Sequence, residues 1–503
     1  MTPARCAIPL TIAMSFLCAA AAPTTAPQQA PSAYVVSRAD VAQAYLEVDR
    51  LYIQAKLSDA DRARVNRQFD EATIAYFKNR PSDAIRLMHE LSGTLAPDLV
   101  KTPEARLARS LRVRVAPWVA QERHPTPLRV MIGPMYPVPM DAPTRLRLRI
   151  QPDPEYFGAD AKPVYEREIE INQRGAASGF NTAQPQAPTG AYRVELIAPD
   201  GTRHLACRWF VADQPASYQR RENALHLTSI EQDSQEILLA TAAVAARNNL
   251  LADQFSETES ARFTADPVKL MGEVANEIGA LEKDRDPFVD RAGDYWRTMI
   301  LGSLHVPARI YVPEAVVRGG KAVPLVIALH GAGGEEALFM EAYGNGAIKR
   351  LADEKGFIVV APSTYFAMTA PQAVEGLVHA LSYDYLIDPK RVYVIGHSLG
   401  AMTAQSYATR WPDRVAAACM IAGATPFPND KRMAPTLLIA ADVDPILGGV
   451  GMDVQKVADE ARSAGLPVEF RVLKQEGHTL IVGDALPQAI DWLLAHELKS
   501  EQK

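Results

Sequence analysis

RVYVIGHSLGAMTA, residues 391–404, is the stretch that decides the fold of this chain. Residues 392–395 form a short, continuous apolar run, which is typical of a strand covered on both faces. Residues 401–410 have a helical pattern. The G-x-S-x-G string of residues 396–400 joins the two, and in this setting it predicts a sharp strand-to-helix turn that exposes the hydroxyl of Ser398. Glycines suit such a turn because they bring no Cβ against the neighbouring backbone.

A serine nucleophile needs a histidine base and a carboxylate, and after a turn of this kind they follow in the order Ser, Asp or Glu, His. Two histidines follow Ser398: His478, in a loop after an apolar run, and His496, within the last amphipathic helix. We therefore predict Ser398 as the nucleophile and His478 as the base. His397, fixed beside the serine, is interpreted as packing support.

The acid of the triad has two candidates, because Asp442 and Asp444 both follow the predicted strand 436–440. Asp444 is the preferred residue, since it lies further into the loop. Asp442 stays open as the alternative, with a turn or loop cap as its other possible role.

A glycine-rich loop, residues 330–334 (HGAGG), follows the predicted strand 325–329. We predict that the backbone N–H groups of Ala332 and Leu399 form an oxyanion hole, the second of them at the positive end of a helix. The loop has neither a Walker sequence nor G-x-G-x-x-G spacing, which counts against nucleotide binding. Since no Cys/His spacing suggests a zinc site either, we expect no metal and no cofactor.

Apolar runs and helical stretches alternate from about Trp296 onward, which favours an α/β fold with a mostly parallel sheet and helices on both faces. The predicted buried strands are residues 304–312, 325–329, 357–361, 392–395, 416–421, 436–440 and 468–473.

Four segments in this region carry a family resemblance: PLVIALHGAGG (324–334), YDYLIDPKRVYVIGHSLGAMTA (383–404), AADVDP (440–445) and EGHT (476–479). Together they resemble the α/β-hydrolase superfamily, and within it the compact secreted serine esterases. That group includes feruloyl and acetylxylan esterases and polyhydroxybutyrate depolymerases, with prolyl-oligopeptidase-like hydrolases as neighbours. The sequence departs from the feruloyl and depolymerase pattern at His397 and Leu399 and in the loop QEGHTLIV (475–482).

The resemblance implies cleavage of a small-molecule or polymer-linked carboxylic ester through an acyl-enzyme. A serine peptidase of the prolyl-oligopeptidase type and a non-catalytic binding or adhesion protein are the alternatives. Only residues 422–435 separate the two strands between which a cap is often inserted, so we expect no internal lid. We therefore expect the preceding modules to shape access to the site, and we name Tyr365, Phe366 and Met368 as candidate pocket residues.

The remaining chain predicts a multidomain layout. Residues 34–125 have helical periodicity, residues 126–215 have short alternating strands typical of a small β-sandwich of immunoglobulin or fibronectin type, and residues 216–295 are again helical. The hydrolase region is placed at residues 296–503. The modules before it could contact a carbohydrate or polymer.

The N-terminus predicts export to the periplasm or beyond the cell. Arg5 precedes an apolar run that ends in small residues, which is typical of a signal peptide over residues 1–22, and a Pro/Ala/Gln/Thr-rich linker follows at 23–33. No later segment is long and apolar enough to be predicted as a membrane span. A net charge of −6 gives no basic footprint for nucleic acid. Outside the signal, Cys207 and Cys419 are expected to be buried free thiols.

Overall fold

The computed structural model describes residues 35–172, 178–231, 234–252, 266–302, 304–370, 372–428 and 432–498. The predicted signal peptide and exit linker lie outside these ranges. In the part of the chain that is described, none of the helices combines the length and the apolar character needed to cross a membrane.

The described chain begins with helices, as their periodicity predicts. Their bounds are α1 (Arg38–Gln54), α2 (Asp59–Phe77), α3 (Pro81–Leu95) and α4 (Pro103–Ser110). Ser37 caps α1 in a capping box with Asp40, and Pro81 stands at the first turn of α3, where proline is well tolerated. Helices α1–α3, called the helical layer below, share a core that includes Phe69 and also Leu480 from the far end of the chain.

Two mostly antiparallel sheets follow the helices. Their strands are β1 (Leu111–Ala116), β2 (Val119–Gln121), β3 (Leu128–Pro134), β4 (Thr144–Pro152), β5 (Tyr165–Ile171), β6 (Ser178–Thr182), β7 (Gly190–Ile197) and β8 (Arg203–Ala212), with the short helix α5 (Pro154–Phe157) between β4 and β5. The strand orders are β1-β3-β6 and β2-β8-β7-β4-β5. Buried side chains of both sheets belong to one hydrophobic core. The first strand starts at Leu111, earlier than the predicted boundary at 126, because Leu111, Val113 and Val115 already alternate with exposed or half-exposed arginines.

Among the described residues, three helices connect these sheets to the last part of the chain, where the periodicity predicts helix. They are α6 (Ala216–Ser229), α7 (Gln235–Asn249) and α8 (Pro267–Leu281). Their apolar stripes pack on one face of the large sheet described next. The helical stretch ends before residue 295, since a strand has already begun at Gly293.

The last part of the chain builds an eight-stranded sheet. Its strands are β9 (Gly293–Leu301), β10 (Leu304–Val312), β11 (Val323–Leu329), β12 (Ile358–Pro362), β13 (Ile387–His397), β14 (Ala417–Ile421), β15 (Thr436–Ala441) and β16 (Val468–Leu473). The order is β16-β15-β14-β13-β11-β12-β10-β9, antiparallel only in the pairs that involve β10. All seven predicted strands are confirmed. The sequence analysis missed β9, an edge strand with several half-exposed residues and therefore a weaker apolar pattern.

Helices cover both faces of this sheet, which fits the predicted α/β-hydrolase class. They are α9 (Glu314–Gly319), α10 (Leu338–Glu341), α11 (Tyr343–Lys355), α12 (Thr364–Thr369), α13 (Ala373–Asp384), α14 (Leu399–Arg410), α15 (Pro445–Gly449), α16 (Val454–Ser463) and α17 (Ile481–Leu494). The described residues form one compact unit, and the domain boundaries remain predictions. Cys207 and Cys419 are buried free thiols, as expected.

Candidate active site

Ser398 occupies a tight turn between β13 and α14. Its backbone has φ 53° and ψ −113°, a strained conformation for a residue with a side chain. The flanking glycines make the turn possible. A Cβ on Gly396 would lie 2.1 Å from the carbonyl oxygen of Gly400, and a Cβ on Gly400 would lie 2.0 Å from that of Leu329. The G-x-S-x-G string therefore forms the predicted strand-to-helix turn because no larger residue fits on either side.

Ser398, His478 and Asp444 come together at the carboxyl ends of three parallel strands. His478 Nε2 lies 3.0 Å from Ser398 Oγ, and His478 Nδ1 lies 2.8 Å from Asp444 Oδ2. Because a carboxylate accepts, Nδ1 carries the proton and Nε2 is left to accept from the serine hydroxyl. This is the arrangement in which an imidazole can take the proton of a nucleophilic serine.

Asp442, the alternative acid, has a different task. Its Oδ1 accepts a hydrogen bond from Gln475 N–H at 2.6 Å, so it secures the start of the loop that carries His478. Asp444 uses its second oxygen to accept from the backbone of Ile446 and Leu447, which fixes it at the start of α15. His496 lies two residues beyond the end of α17, and not within that helix as predicted, with Nδ1 hydrogen-bonded to the Trp492 carbonyl.

The predicted oxyanion donors lie on the two loops that meet at Ser398. The backbone N–H groups of Ala332 and Leu399 donate to no other group of the described residues, and Leu399 opens α14. Close packing holds the Ala332 loop, since a Cβ on Gly331 would lie 2.7 Å from His397 Nδ1. Two free N–H groups beside a nucleophile suit an oxygen that becomes negative during reaction.

His330, at the start of this loop, is a structural histidine. Its Nδ1 donates to the Gly331 carbonyl at 2.9 Å, and its Nε2 accepts from Thr364 N–H at 3.0 Å. Burial lowers its pKa to about 4, so the ring is neutral near pH 7. The two bonds tie the Ala332 loop to the beginning of α12.

His397 does more than pack beside the serine. Its Nε2 lies 2.9 Å from the carbonyl oxygen of His478, so Nε2 must donate, and its Nδ1 accepts from the Tyr343 hydroxyl at 2.7 Å. Tyr343 in turn accepts a long hydrogen bond, 3.4 Å, from Gly331 N–H. Burial holds the pKa of His397 well below its ordinary value. A chain of neutral groups thus links the loop of the base to the loop of the oxyanion donors.

The helical layer also holds the loop of the base. Asn66 Oδ1 on α2 accepts from Gly477 N–H, and Asp70 Oδ2 accepts from His478 N–H, both at 2.8 Å. Asp70 is 1% exposed, and burial raises its pKa to about 7. The fit is close, since a Cβ on Gly477 would lie 2.5 Å from Asp70 Oδ2. The sequence analysis missed both residues, because nothing local in α2 points to a partner some 400 positions away.

A cavity of about 150 Å³ lies beside Ser398 and His478. Its other walls come from the helical layer and from residues of the segment 331–343. The predicted pocket residues Tyr365, Phe366 and Met368 do not line it. They are on the short helix α12 with 44%, 37% and 46% of their surface exposed, whereas side chains of α1–α3 line the cavity beside Ser398. Tyr365 still touches the site, because its hydroxyl accepts from Gly333 N–H at 2.7 Å.

The described residues contain no group of three or more His, Cys, Asp or Glu side chains that could hold a metal ion.

The chain is similar to solved serine hydrolases and esterases. One is FphF, a fluorophosphonate-binding serine hydrolase of Staphylococcus aureus, at 16% identity and TM-score 0.34 over 40% of this chain and 99% of that one. Another is an S-formylglutathione hydrolase from Agrobacterium tumefaciens, at 15% and 0.35 over 41% and 95%. A thermostable esterase matches at 14% and 0.35 over 77% and 99%. A scan of protein-family models and a search of curated proteins found no match.

Proposed function

We propose that this protein is a serine hydrolase that cleaves carboxylic esters through an acyl-enzyme. The observation that carries the proposal is the unbroken contact from Asp444 through His478 to Ser398 Oγ, placed at a cavity and beside two unpartnered N–H groups. Nucleophile, base, orienting carboxylate and oxyanion donors then stand within reach of one carbonyl group.

In the first step, His478 Nε2 takes the hydroxyl proton of Ser398 as Oγ attacks the carbonyl carbon of the ester. The carbonyl oxygen becomes negative and accepts from Ala332 and Leu399 N–H. Asp444 keeps the proton on Nδ1 and stabilises the imidazolium that forms. The imidazolium gives its proton to the departing alcohol as the carbon–oxygen bond breaks. Water, deprotonated by the same nitrogen, then attacks the acyl carbon. The bond from that carbon to Ser398 Oγ breaks as His478 returns the proton to Oγ, and the acid is released.

The other two histidines of the site support this chemistry without exchanging protons. Because burial lowers the pKa of both His330 and His397, each stays neutral while His478 gains and loses its proton. The hydrogen bonds of His330 and His397 hold the loop of Ala332 and the loop of His478 in their positions beside Ser398.

The test is turnover of p-nitrophenyl esters and of dipeptidyl anilides by the wild type, Ser398→Ala and Ser406→Ala. Ser406 is the matched control, since it lies exposed on α14, the helix that follows the nucleophile. We expect ester hydrolysis to fall at least about 10³-fold in Ser398→Ala and to be unchanged in Ser406→Ala. Equal turnover by wild type and Ser398→Ala would overturn the site. Hydrolysis of the anilides alone would make the protein a peptidase.

The proposed setting is outside the cytoplasm. The signal-peptide pattern of residues 1–22 supports export, with a polymer-linked or small-molecule ester met in the periplasm or beyond.

A further inference from the structure

The helical layer forms one side of the catalytic cavity, and this assigns it a part in the reaction. We propose that α1–α3 build the acyl-binding wall of the site and select esters with a small, uncharged, apolar acyl group. The inference rests on the proposed function, because it names the substrate class of the same serine.

The wall is apolar on its inner side. Six apolar side chains of the layer line the cavity: Val41, Ala42, Leu46, Phe69, Phe77 and Met88. They face the loop of residues 331–334 and the pair Ser398 and His478. A group attached to Ser398 Oγ that turns toward the layer therefore meets hydrocarbon, and its burial there is favourable in proportion to its apolar area.

Charge is already balanced around the cavity. Its charged lining residues are Arg38, Glu335 and Glu341, as far as the described residues show. Arg38 pairs with Glu335 at 3.1 Å, and Glu341 pairs with Arg309 at 2.6 Å. An ionised acyl group would lose its hydration without gaining a dedicated counterion, which is costly. The cavity thus excludes esters of diacids and of amino acids with a free amine.

The volume limits the length of the acyl group. A cavity of about 150 Å³ holds a group the size of benzene, or about six carbon atoms. Met88, 4% exposed, and Phe69, 1% exposed, bound the cavity on its inner side, whereas Phe77 in the same wall is 45% exposed. A longer chain therefore has no way inward past Met88 and Phe69.

The acyl half of the ester, rather than the alcohol half, fits this closed side. The alcohol must leave before water can attack, whereas the acyl group stays bonded to Ser398 until the second step. The acyl group, which stays bonded, therefore fits against the apolar wall, and the alcohol, which must leave, fits on the side open to solvent.

The wall is held in place at three points. On α1, Asp49 accepts from the N–H groups of Gly344 and Asn345, at 3.2 and 2.6 Å. Arg38 donates to the Gly333 carbonyl at 3.1 Å, and α2 holds the loop of His478 as described above. With its position fixed, the layer cannot retreat for a longer chain, so the acyl cut-off should be sharp.

The experiment uses the full chain and p-nitrophenyl esters of increasing acyl length, from acetate to decanoate. We expect kcat/KM to rise to about the six-carbon ester and to be at least about 10-fold lower for decanoate. Ala42→Leu narrows the cavity and should lower the hexanoate-to-acetate ratio about 10-fold. Leu46→Ala widens it and should raise the octanoate-to-hexanoate ratio by a similar factor. Ala60→Leu, the same change at an exposed position of α2 outside the cavity, should alter neither ratio.

A second series keeps the acyl group constant and varies the alcohol, and we expect both cavity variants to leave its profile unchanged. If Ala42→Leu does not fold, as judged by its thermal unfolding, Leu46→Ala alone decides. The inference is overturned if hydrolysis depends on Ser398 but the acyl profile is the same in wild type and in the cavity variants, or if the alcohol profile shifts instead. Loss of the proposed function has a different signature: no dependence on Ser398 for any ester.

Discussion

At the scale of single residues, the two carboxylate oxygens of Asp444, the proposed acid, accept hydrogen bonds from different groups. One accepts from His478 Nδ1, and the other accepts from two N–H groups at the start of α15. The backbone N–H groups therefore fix the orientation of the carboxylate that accepts from the imidazole. Asp442, two positions earlier, also has a carboxylate, but its Oδ1 accepts a hydrogen bond from Gln475 N–H. Position within the loop, and not residue type, separates the two.

This difference predicts unequal effects of the same substitution. Asp444→Asn should lower kcat about 10³- to 10⁴-fold, because an amide cannot both hold the proton on Nδ1 and stabilise the imidazolium. Asp442→Asn should cost less than about 10-fold, since an amide oxygen can still accept from Gln475. The measurement is kcat for a short p-nitrophenyl ester, with circular dichroism as the folding check. A larger loss in Asp442→Asn than in Asp444→Asn would reverse the assignment of the acid.

At the scale of elements, the strand-turn-helix around Ser398 depends on contacts between backbones. Gly396 and Gly400 both lie where an added methyl group would overlap a carbonyl oxygen of another segment. The turn is thus set by the approach of β13, α14 and the end of β11. Relief by a small side-chain movement is not available, because the atoms in the way are main-chain atoms.

Alanine substitutions test this account of the turn. Gly400→Ala should abolish activity and lower the melting temperature, because its Cβ would lie 2.0 Å from the Leu329 carbonyl oxygen. Gly448→Ala, in α15 with open space around its Cβ, should leave activity unchanged and stability unchanged or slightly higher. Thermal unfolding and ester turnover of the two variants check the prediction. Normal activity in Gly400→Ala would refute the steric explanation.

Some of these elements could be predicted from the local sequence pattern, and others could not. Seven of the eight strands of the large sheet, edge strand β16 among them, and the Ser398 turn were predictable, because each is encoded by a local pattern of apolar residues or glycines. Chain order then limited the base to His478 or His496 and left two candidate acids, Asp442 and Asp444; position within the loops favoured His478 and Asp444. Edge strand β9 was missed, since several of its residues are half-exposed and its apolar pattern is weak. Strand β1 was missed although Leu111, Val113 and Val115 alternate regularly, because the boundary of the helical region was placed at residue 125. The cavity wall was out of reach, because nothing local in α1 or α2 records a partner more than 250 positions away.

At the scale of the whole molecule, Arg62 joins three distant parts of the chain. From α2 its guanidinium bonds Glu476, at 2.6 Å, and Asp484 on α17, and it also donates to the Tyr52 hydroxyl on α1 at 3.0 Å. Glu476 is 2% exposed and lies two residues before His478. Burial raises the pKa of this carboxyl, while Arg62 opposes the rise. The helical layer and the catalytic loop are thus coupled through one cation.

Removing that cation should weaken the molecule in a pH-dependent way. Arg62→Ala should lower the free energy of unfolding by about 2 kcal/mol or more at pH 8, because the buried Glu476 carboxylate is left without its cation. At pH 5 the loss should be smaller. An acid whose folded pKa is raised is protonated there, so the missing cation matters less.

The matched control for Arg62→Ala is Arg64→Ala on the same helix. Arg64 pairs with Asp61 at the surface, where an ion pair contributes less than about 1 kcal/mol. Denaturant unfolding of both variants at the two pH values makes the comparison. An Arg62→Ala deficit that is equal at pH 5 and pH 8 would contradict the proposed coupling.

The hydrogen bond between Asp70 and His478 also has a consequence for biosynthesis. The two residues are 408 positions apart, and a ribosome completes the N-terminal helices long before it reaches the loop of the base. Throughout that interval Asp70 lacks the backbone N–H that it accepts from, and Ser398, even once made, lacks the imidazole of His478. The proposed activity can therefore arise only after His478 has been made and has reached the helices that were completed first.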